Sequence, residues 1–445
     1  MVAMIVSSET RVLGATIVTL DTAGTIIVNG EIAYDTTGRI SYIGAQRGPF
    51  RDTDIDAAGS IVMPGLVNSH THSGMTPLRG LSDDKDLSSW LSDMRQFEVR
   101  MTEDDHRWAL RLALVEMLHS GTTTFADMFR WNEVLIADVL DVGMRINVAP
   151  AIIGYDTVGF PAAGSEDGRA TLEITERLGS QFAGDERVKV SYGPHAVYTC
   201  SPELLREVAA RAARTGLGIH IHLSEDAREV AQCLADFGAT PIAHAASQGI
   251  FDTHALVAHA TKATEADIEL LAAHGATVAH NPVSNLKLGS GIAPIPAMLE
   301  AGVTVALGTD GVASNNSLDM FEEIKVGTII QRGTHGDAQV TRAVDYLRMA
   351  TSGGAAATGF SNVGVLARGR DADFIVLRTN TPRGTPLNDA VSFLVFAASG
   401  SDVTDVIIAG RHVVRDGAVV TLDEAEVRAQ VAATTHRISS EIRST

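Results

Sequence analysis

Two histidine pairs, each with one residue between the two imidazoles, are the part of this sequence with the clearest capacity for chemistry. His70 and His72 end one short apolar run, and His220 and His222 lie in another. Residues two apart in an extended chain project to the same side, so each pair can present two imidazoles to one metal ion. A single pair of this kind is also compatible with two solvated loop histidines, so the rest of the sequence has to decide.

Further polar residues stand where other apolar runs end. Glu225 follows His222 by three positions, His259 ends a later run, and Asp310 comes just after the last one. Taken singly, His259 is compatible with a satisfied core histidine and Asp310 with a helix N-cap. Together, His70, His72, one histidine of the second pair and Asp310 provide three imidazoles and one carboxylate, a ligand set that Zn²⁺ accepts with room left for water. The bound ion lowers the pKa of that water to about 7. Glu225 and His259 would then carry protons.

Eight apolar runs that alternate with helix-period segments occupy the middle of the chain. This alternation predicts an α/β fold, a (β/α)₈ TIM barrel whose active site lies at the C-terminal ends of its strands. Short strand-like segments before and after this region predict that the barrel is inserted into a small discontinuous β-sandwich. The predicted domains are 1–62 (N-terminal part of the sandwich), 63–362 (barrel) and 363–445 (C-terminal part of the sandwich plus a terminal helix). The predicted barrel strands are Gly65–Ser69, Thr122–Asp127, Arg145–Ile152, Val188–Tyr192, Leu217–Leu223, Ala255–Ala258, Ala276–Ala279 and Val303–Leu307.

Composition narrows the class of protein. The chain has 54 acidic and 35 basic side chains, a net charge of −19, and no Lys/Arg-rich run, which disfavours nucleic acid as a partner. No apolar stretch reaches the roughly 18 to 20 residues that cross a bilayer, so we expect no membrane partner. Cys200 and Cys233 are too few for a disulfide framework and are predicted to be packing residues, which favours a cytoplasmic location. A homo-oligomer is compatible with the sequence, which does not decide the number of subunits.

Several ordered blocks resemble the amidohydrolase superfamily, in the branch of S-adenosylhomocysteine/methylthioadenosine deaminases and triazine hydrolases. The resemblance extends over nearly the whole chain. Because several long blocks agree in the same order, a chance match is negligible. The blocks are MPGLVNSHTH at 63–72, GPHAVYTCSPELL at 193–205, HIHLSE at 220–225, HNPVSNLKLGSGIAPI at 280–295, LGTDGVASNNSLDM at 307–320 and GVLARGRDADFIVL at 364–377.

The resemblance implies one divalent metal ion, Zn²⁺ first, with Fe²⁺ or Mn²⁺ as alternatives. It selects His222 over His220 as a ligand, makes Glu225 the proton shuttle, and places His259 beside the attacking water. The implied metal ligands are His70, His72, His222 and Asp310. The predicted substrate contacts are Trp90, His195 and Ser314. For Trp90, stacking on a planar ring and capping of the barrel are both open.

Two departures from the family pattern bear on the metal count and the substrate. Branches with two metals use a carboxylated lysine at the end of strand four, whereas Lys189 stands at the beginning of that strand, so we expect one metal. Members that accept adenosine-like substrates usually carry a ribose-binding glutamate just before the tryptophan of the loop after strand one. Here Ser88 and Ser89 precede Trp90, and Asp86 is the alternative ribose contact. We therefore expect a preference for a free or small-substituted heterocycle over a nucleoside.

These observations predict a hydrolase that releases ammonia from an amino-substituted nitrogen heterocycle of adenosine-like, purine, pterin or triazine type. Asp310, assisted by His259, would accept the proton of the attacking water, and Glu225 would protonate the ring nitrogen. The first alternative keeps the site but displaces chloride, an alkylamine or a thioalkyl group from a triazine-like ring. The second, a barrel that has lost catalysis and serves as a scaffold, is disfavoured because the predicted ligand and proton-carrier set is complete.

Overall fold

The computed structural model describes residues 9–85, 87–154 and 168–444, and its strands form two sheets. In chain order, the strands are β1 (Thr10–Val18), β2 (Ile26–Tyr34), β3 (Ile40–Ala45), β4 (Ile55–Asp56), β5 (Ser60–Pro64), β6 (Leu66–Thr71), β7 (Thr122–Phe129), β8 (Arg145–Ile152), β9 (Val188–Pro194), β10 (Gly218–Leu223), β11 (Ala255–His259), β12 (Thr277–His280), β13 (Thr304–Leu307), β14 (Phe374–Arg378), β15 (Val403–Ile408), β16 (Arg411–Arg415) and β17 (Ala418–Val419).

The helices begin after β6, and most of them lie between β6 and β14. They are α1 (Leu87–Glu98), α2 (Glu103–His119), α3 (Glu133–Val142), α4 (Arg169–Gln181), α5 (Pro202–Thr215), α6 (Ala227–Phe237), α7 (Pro241–Ser247), α8 (Glu265–His274), α9 (Pro282–Lys287), α10 (Ile295–Glu300), α11 (Val312–Asn315), α12 (Met320–His335), α13 (Ala343–Arg348), α14 (Gly354–Thr358), α15 (Ala390–Phe396) and α16 (Glu424–Ser444). Within the described residues, no helix is both long and apolar enough to span a membrane.

Strands β6 to β13 form the barrel, which confirms the predicted (β/α)₈ fold. They lie in sequence order, and each is parallel to its neighbour, because a helical crossover returns the chain to the same end of the sheet every time. Most of their residues are buried, as expected for strands covered on both faces. The carboxyl ends of all eight strands therefore meet at one end of the barrel.

The first and last barrel strands are joined at that same end. The backbone N–H of Asp310 donates to the carbonyl of His70 at 2.9 Å, and Asn68 exchanges side-chain hydrogen bonds with Thr309. Gly308 permits this approach, because a Cβ at that position would lie 2.8 Å from the backbone nitrogen of His70. The contact brings the histidine pair of β6 and the aspartate after β13 side by side.

The crossover helices carry the expected boundary signals, as α5 illustrates. Ser201 caps its N-terminus by accepting from the N–H of Leu204, and Pro202 occupies the first turn, where it loses no hydrogen bond. Gly216 ends the helix in a left-handed conformation that glycine adopts without strain. The buried face of α5 consists of Leu204, Leu205, Val208, Ala209 and Ala212.

The second sheet is built from both ends of the chain. Its strand order is β17-β16-β15-β14-β5-β1-β2-β3, with β4 paired to β1, and β14 runs antiparallel to β5. The barrel is thus inserted between two neighbouring strands of this sheet, as expected. A buried ion pair links the two parts, because Arg145 of β8 contacts Asp371 at 2.6 Å and also contacts Asp373. The exact domain limits at 62/63 and 362/363 stay predictions.

Candidate metal centre and active site

The polar residues singled out at the strand ends come together at the carboxyl end of the barrel. Two groups of three donor atoms each lie within 4.8 Å of one another, and His70 belongs to both. One group is His70, His222 and His259; the other is His70, His72 and Asp310. Strands β6, β10 and β11, the residue after β6 and the turn after β13 supply these side chains, so the cluster exists only in the folded barrel.

Three contacts among the four predicted metal ligands have the spacing expected around a small cation. We call His70, His72, His222 and Asp310 the four-residue cluster. The Oδ1 atom of Asp310 lies 3.3 Å from Nε2 of His72 and 3.5 Å from Nε2 of His70, and Nε2 of His222 lies 3.3 Å from Nε2 of His72. A tetrahedral zinc site with bonds of about 2.0 to 2.1 Å has ligand atoms about 3.3 Å apart. These three contacts therefore have the spacing of neighbouring ligands around one ion.

The protonation of two imidazoles gives an independent test of that fit. Nδ1 of His72 lies 2.6 Å from the carbonyl oxygen of Met128, and Nδ1 of His222 lies 2.8 Å from that of His195. A carbonyl only accepts, so both Nδ1 atoms carry the hydrogen, and in the neutral rings both Nε2 atoms present lone pairs. Two lone pairs facing each other at 3.3 Å repel unless a cation lies between them. Imidazole and carboxylate donors together suit zinc and similar transition metals.

Burial prepares the cluster for metal binding. It lowers the pKa of His70 to about 4 and the pKa of His222 well below its usual value, so these rings are neutral, as metal ligands must be. Burial acts to raise the pKa of Asp310, but its contacts with His70 and the other neighbouring imidazoles hold that pKa well below its usual value. The aspartate is therefore a carboxylate.

Two serine hydroxyls orient the aspartate. Ser284 and Ser314 donate to Oδ2 of Asp310 at 2.6 and 2.8 Å, while the N–H of Gly311 donates to Oδ1 at 2.8 Å. Ser314, predicted as a substrate contact, thus also holds Asp310. Sequence reasoning did not single out Ser284, although it lies inside the block at 280–295 on which the family resemblance rests.

The two predicted proton carriers face each other beside the cluster. An oxygen of the buried Glu225 lies 3.9 Å from Nε2 of His259, and burial raises the pKa of Glu225. Nδ1 of His259 lies 2.8 Å from Oδ1 of Asn285. The side-chain nitrogen of Asn281 lies farther from Nδ1, at 3.2 Å. With the shorter contact as the hydrogen bond, Nδ1 carries the hydrogen and Nε2 is left free to take up a proton on the side of Glu225. Asn285 was not predicted from the sequence.

The backbone is strained where these side chains are presented. His259 has φ of 72° and Asp310 has φ of 61°, in the left-handed region that residues other than glycine rarely adopt. Such conformations cost about 1 to 3 kcal/mol each and persist only when the surrounding structure enforces them. Here they occur at the ends of two barrel strands, next to the cluster.

The predicted substrate contacts line a small cavity over the cluster. It has a volume of about 40 Å³, and its lining includes Trp90, His195 and Ser314 together with Glu225 and His259. The indole N–H of Trp90 donates to the carbonyl of Ala313 at 3.2 Å, which fixes the ring against α11. Nδ1 of His195 lies 3.0 Å from the Thr199 hydroxyl. Their contacts with substrate stay predictions.

Other predictions concern residues away from the cavity. Lys189 stands near the start of β9, roughly 20 Å of strand from His195, and lines a different cavity. Cys200 and Cys233 are free and buried, in agreement with packing roles, and burial raises the pKa of each thiol to about 11. Asp86 and the side chain of Ser88 lie outside the described residues, so the predictions about the ribose contact stay predictions.

Relatives that carry the name of a deaminase match the sequence of this chain along most of their length. The chain is 41% identical over 421 residues to the 5-methylthioadenosine/S-adenosylhomocysteine deaminase of Pelotomaculum thermopropionicum, covering 94% of this chain and 96% of the relative. It is 40% identical over 409 residues to the enzyme of the same name from Halobacterium salinarum, covering 91% and 93%.

Solved structures of two named enzymes have the same fold as this chain. An adenosine deaminase from Xanthomonas campestris with bound zinc superposes with a TM-score of 0.92 at 31% identity, over 97% of this chain and 98% of that one. The atrazine chlorohydrolase of Arthrobacter aurescens complexed with zinc superposes with a TM-score of 0.87 at 25% identity, over 96% and 100%. The model of the amidohydrolase family matches residues 61–413, and the chain therefore belongs to that family, as its sequence blocks predicted.

Proposed function

We propose that this protein is a zinc-dependent hydrolase that removes an amino group, as ammonia, from the ring of a small nitrogen heterocycle. The observation that carries the proposal is the four-residue cluster, in which two Nε2 lone pairs face each other at 3.3 Å beside a buried glutamate. The deaminase names of relatives that are 40 to 41% identical support the reaction, and zinc in two structural neighbours supports the metal. Fe²⁺ and Mn²⁺ are the alternative ions.

Some side chains of the site bind the ion, and others transfer protons. His70, His72, His222 and Asp310 hold the ion, which supplies Lewis-acid activation of the attacking water. Asp310, with the Nε2 atom of His259 nearby, takes up the proton that this water loses. Water and the amino-substituted ring thus give an oxo-substituted ring and ammonia.

Glu225 is the group that makes an amine able to leave. Burial raises the pKa of its carboxyl, so Glu225 can hold a proton beside the cavity and donate it to the ring nitrogen next to the attacked carbon. Protonation of the ring relieves the negative charge that attack places on it. The Glu225 carboxylate then takes the remaining proton from the new hydroxyl group and passes it to the departing amine, and the proton held by Asp310 returns Glu225 to its acid form. Chloride would need no such proton, so this arrangement favours deamination over displacement of a halide.

The relatives' names point to adenine-type rings, while the sequence departs from the family at the ribose contact. Ser88 and Ser89 precede Trp90 where nucleoside-accepting members carry a glutamate. Loss of a charge-assisted hydrogen bond costs about 1.5 to 3 kcal/mol, so we expect a ribosylated adenine to react roughly 10- to 150-fold less well than a ring matched to the cavity. The cytoplasmic location and a homo-oligomer stay predictions from the sequence.

Ammonia release from a panel of substrates tests these points. Methylthioadenosine, adenosine, free aminopurines, aminopterins and aminotriazines are compared by kcat/KM on one metal-loaded preparation, with a chlorotriazine as the halide arm. Ammonia from at least one ring is expected. Chloride release in its absence would overturn the proposed function. Adenosines that lead by tenfold or more would overturn only the expectation about ribose and would indicate that another residue, such as Asp86, provides the contact.

A further inference from the structure

His220 is a buried histidine that the proposed reaction does not use. It lies on β10, two residues before His222, and is 1% exposed. Its Nε2 atom is 2.8 Å from Nδ1 of His70, and the two rings meet edge to face, with planes 73° apart and centroids 4.9 Å apart. The first histidine of the β10 pair therefore contacts a member of the four-residue cluster without belonging to it.

The direction of this hydrogen bond follows from the role of His70. His70 presents Nε2 toward Oδ1 of Asp310, 3.5 Å away, so a ligand lone pair on Nε2 requires the ring hydrogen on Nδ1. That hydrogen is donated to Nε2 of His220, which must accept it. The ring hydrogen of a neutral His220 is then on its own Nδ1.

His70 differs in this respect from the other two imidazoles of the cluster. His72 and His222 donate from Nδ1 to the backbone carbonyls of Met128 and His195, which the barrel holds in place whatever the side chains are. His70 instead donates to a side chain. Its orientation thus depends on the identity of one residue, which a single substitution can change.

The other nitrogen of His220 indicates that packing alone does not explain this residue. Nδ1 is buried and has no hydrogen-bond partner among the described residues. A buried N–H without a partner is unfavourable, and an apolar side chain of similar size would fill the same space without that penalty. The contact that compensates for it is the one with His70.

We propose that His220 is a positioning residue that fixes the tautomer and ring orientation of His70 and thereby sets the affinity of the four-residue cluster for its ion. This inference rests on the metal site of the proposed function. Residues that hydrogen-bond to metal ligands commonly change metal affinity by about 10- to 100-fold when they are replaced. A neutral imidazole acceptor also polarises His70 less than a carboxylate would.

The test compares His220→Leu with His220→Gln in the full chain. Glutamine can place an amide oxygen near the position of Nε2 and so keep an acceptor for His70, whereas leucine keeps only the bulk. His280→Leu is the matched control, because His280 is another buried barrel histidine, at the end of β12, whose two ring nitrogens have no hydrogen-bond partner among the described residues. Zn²⁺ affinity is measured by competition with a chromophoric chelator, and the Co²⁺-substituted proteins are compared by visible absorption.

We expect His220→Leu to bind Zn²⁺ about 10- to 100-fold more weakly and to alter the Co²⁺ spectrum. His220→Gln and His280→Leu should remain close to the unsubstituted protein in both measurements. Unchanged affinity and spectrum in a folded His220→Leu would overturn the inference, and so would a Gln variant as impaired as the Leu variant. An unsubstituted chain that binds no divalent ion would instead overturn the metal site of the proposed function, so the two failures are distinguishable.

Discussion

The two ends of the barrel differ in a way that cavity size does not reveal. At the carboxyl end, a cavity of about 40 Å³ lies over the four-residue cluster. At the amino end, a cavity of about 670 Å³ is lined by Asn147, Lys189 and Ser191 together with His254. The larger space is therefore not the one that carries the predicted chemistry.

What separates the two ends is how their polar groups are paired. At the amino end, the Asn147 amide donates to the carbonyl of Thr358 at 3.1 Å, the Ser191 hydroxyl donates to Asn147 at 2.9 Å, and Nε2 of His254 lies 2.9 Å from the carbonyl of Ala357. At the carboxyl end, the Nε2 atoms of His72 and His222 face each other at 3.3 Å, and neither can donate a hydrogen bond to the other. Metal-ligating atoms that converge without hydrogen-bond partners are therefore a better indicator of a functional site than the volume of a cavity.

The largest expected effect comes from removing a member of the four-residue cluster. His70→Ala should empty the metal site and lower deamination by about 10³-fold or more, because a Lewis acid contributes several kcal/mol of transition-state stabilisation. Elemental analysis should find about one ion per chain in the unsubstituted protein and almost none in the variant. Chelation should abolish turnover and Zn²⁺ should restore it only in the unsubstituted protein. Two tightly held ions per chain would contradict the single site.

Glu225→Gln should separate binding from proton transfer at the carboxyl end. The variant should keep its metal but lose roughly 10²- to 10⁴-fold in kcat, the usual contribution of general acid-base catalysis. Metal content and kcat are measured on the same preparation. A variant that loses its ion would make Glu225 a ligand, and full activity on a chlorinated ring would favour the displacement reaction.

Asn285→Leu should have a smaller effect, through His259. It removes the acceptor at 2.8 Å from Nδ1 and leaves the ring free to adopt the other tautomer. A neutral hydrogen bond is worth about 0.5 to 1.5 kcal/mol, so kcat should fall roughly 3- to 10-fold with metal content unchanged. Asn285→Asp keeps an acceptor and serves as the control. Equal losses in both variants would mean that the hydrogen bond does not orient His259.

Lys189→Met should have the smallest effect, since it changes the amino end of the barrel. Its side chain is exposed, and its ammonium lies 5.8 Å from the centroid of the Phe360 ring, a cation–π contact worth about 0.5 to 1 kcal/mol at an exposed site. Metal content and kcat/KM should match those of the unsubstituted protein, and the free energy of unfolding should fall by no more than about 1 kcal/mol. Loss of metal or activity would show that the two ends are coupled and that Lys189 belongs to the functional site.

The sequence by itself determined where the barrel strands lie and which end carries the chemistry. The predicted strand Arg145–Ile152 matches β8 at both ends, because glycines at 143 and 154 flank this mostly apolar run and limit how far a regular element can extend. The first barrel strand extends two residues beyond the predicted Ser69, to Thr71. Periodicity placed its histidines on one side but did not include the hydrogen bond by which the carbonyl of His70 accepts from Asp310.

Only the tertiary structure decided what each polar group contacts. Spacing made His220 and His222 equivalent, yet one ring meets Nδ1 of His70 and the other faces Nε2 of His72. His70 and His220 are 150 positions apart in the chain, and Asn285 is 26 positions from the ring that it orients. A periodic pattern encodes which face of an element is buried, because that depends on neighbours a few residues away. The partner of a buried donor depends on how distant elements pack, so tautomers and ligand geometry follow from the folded barrel.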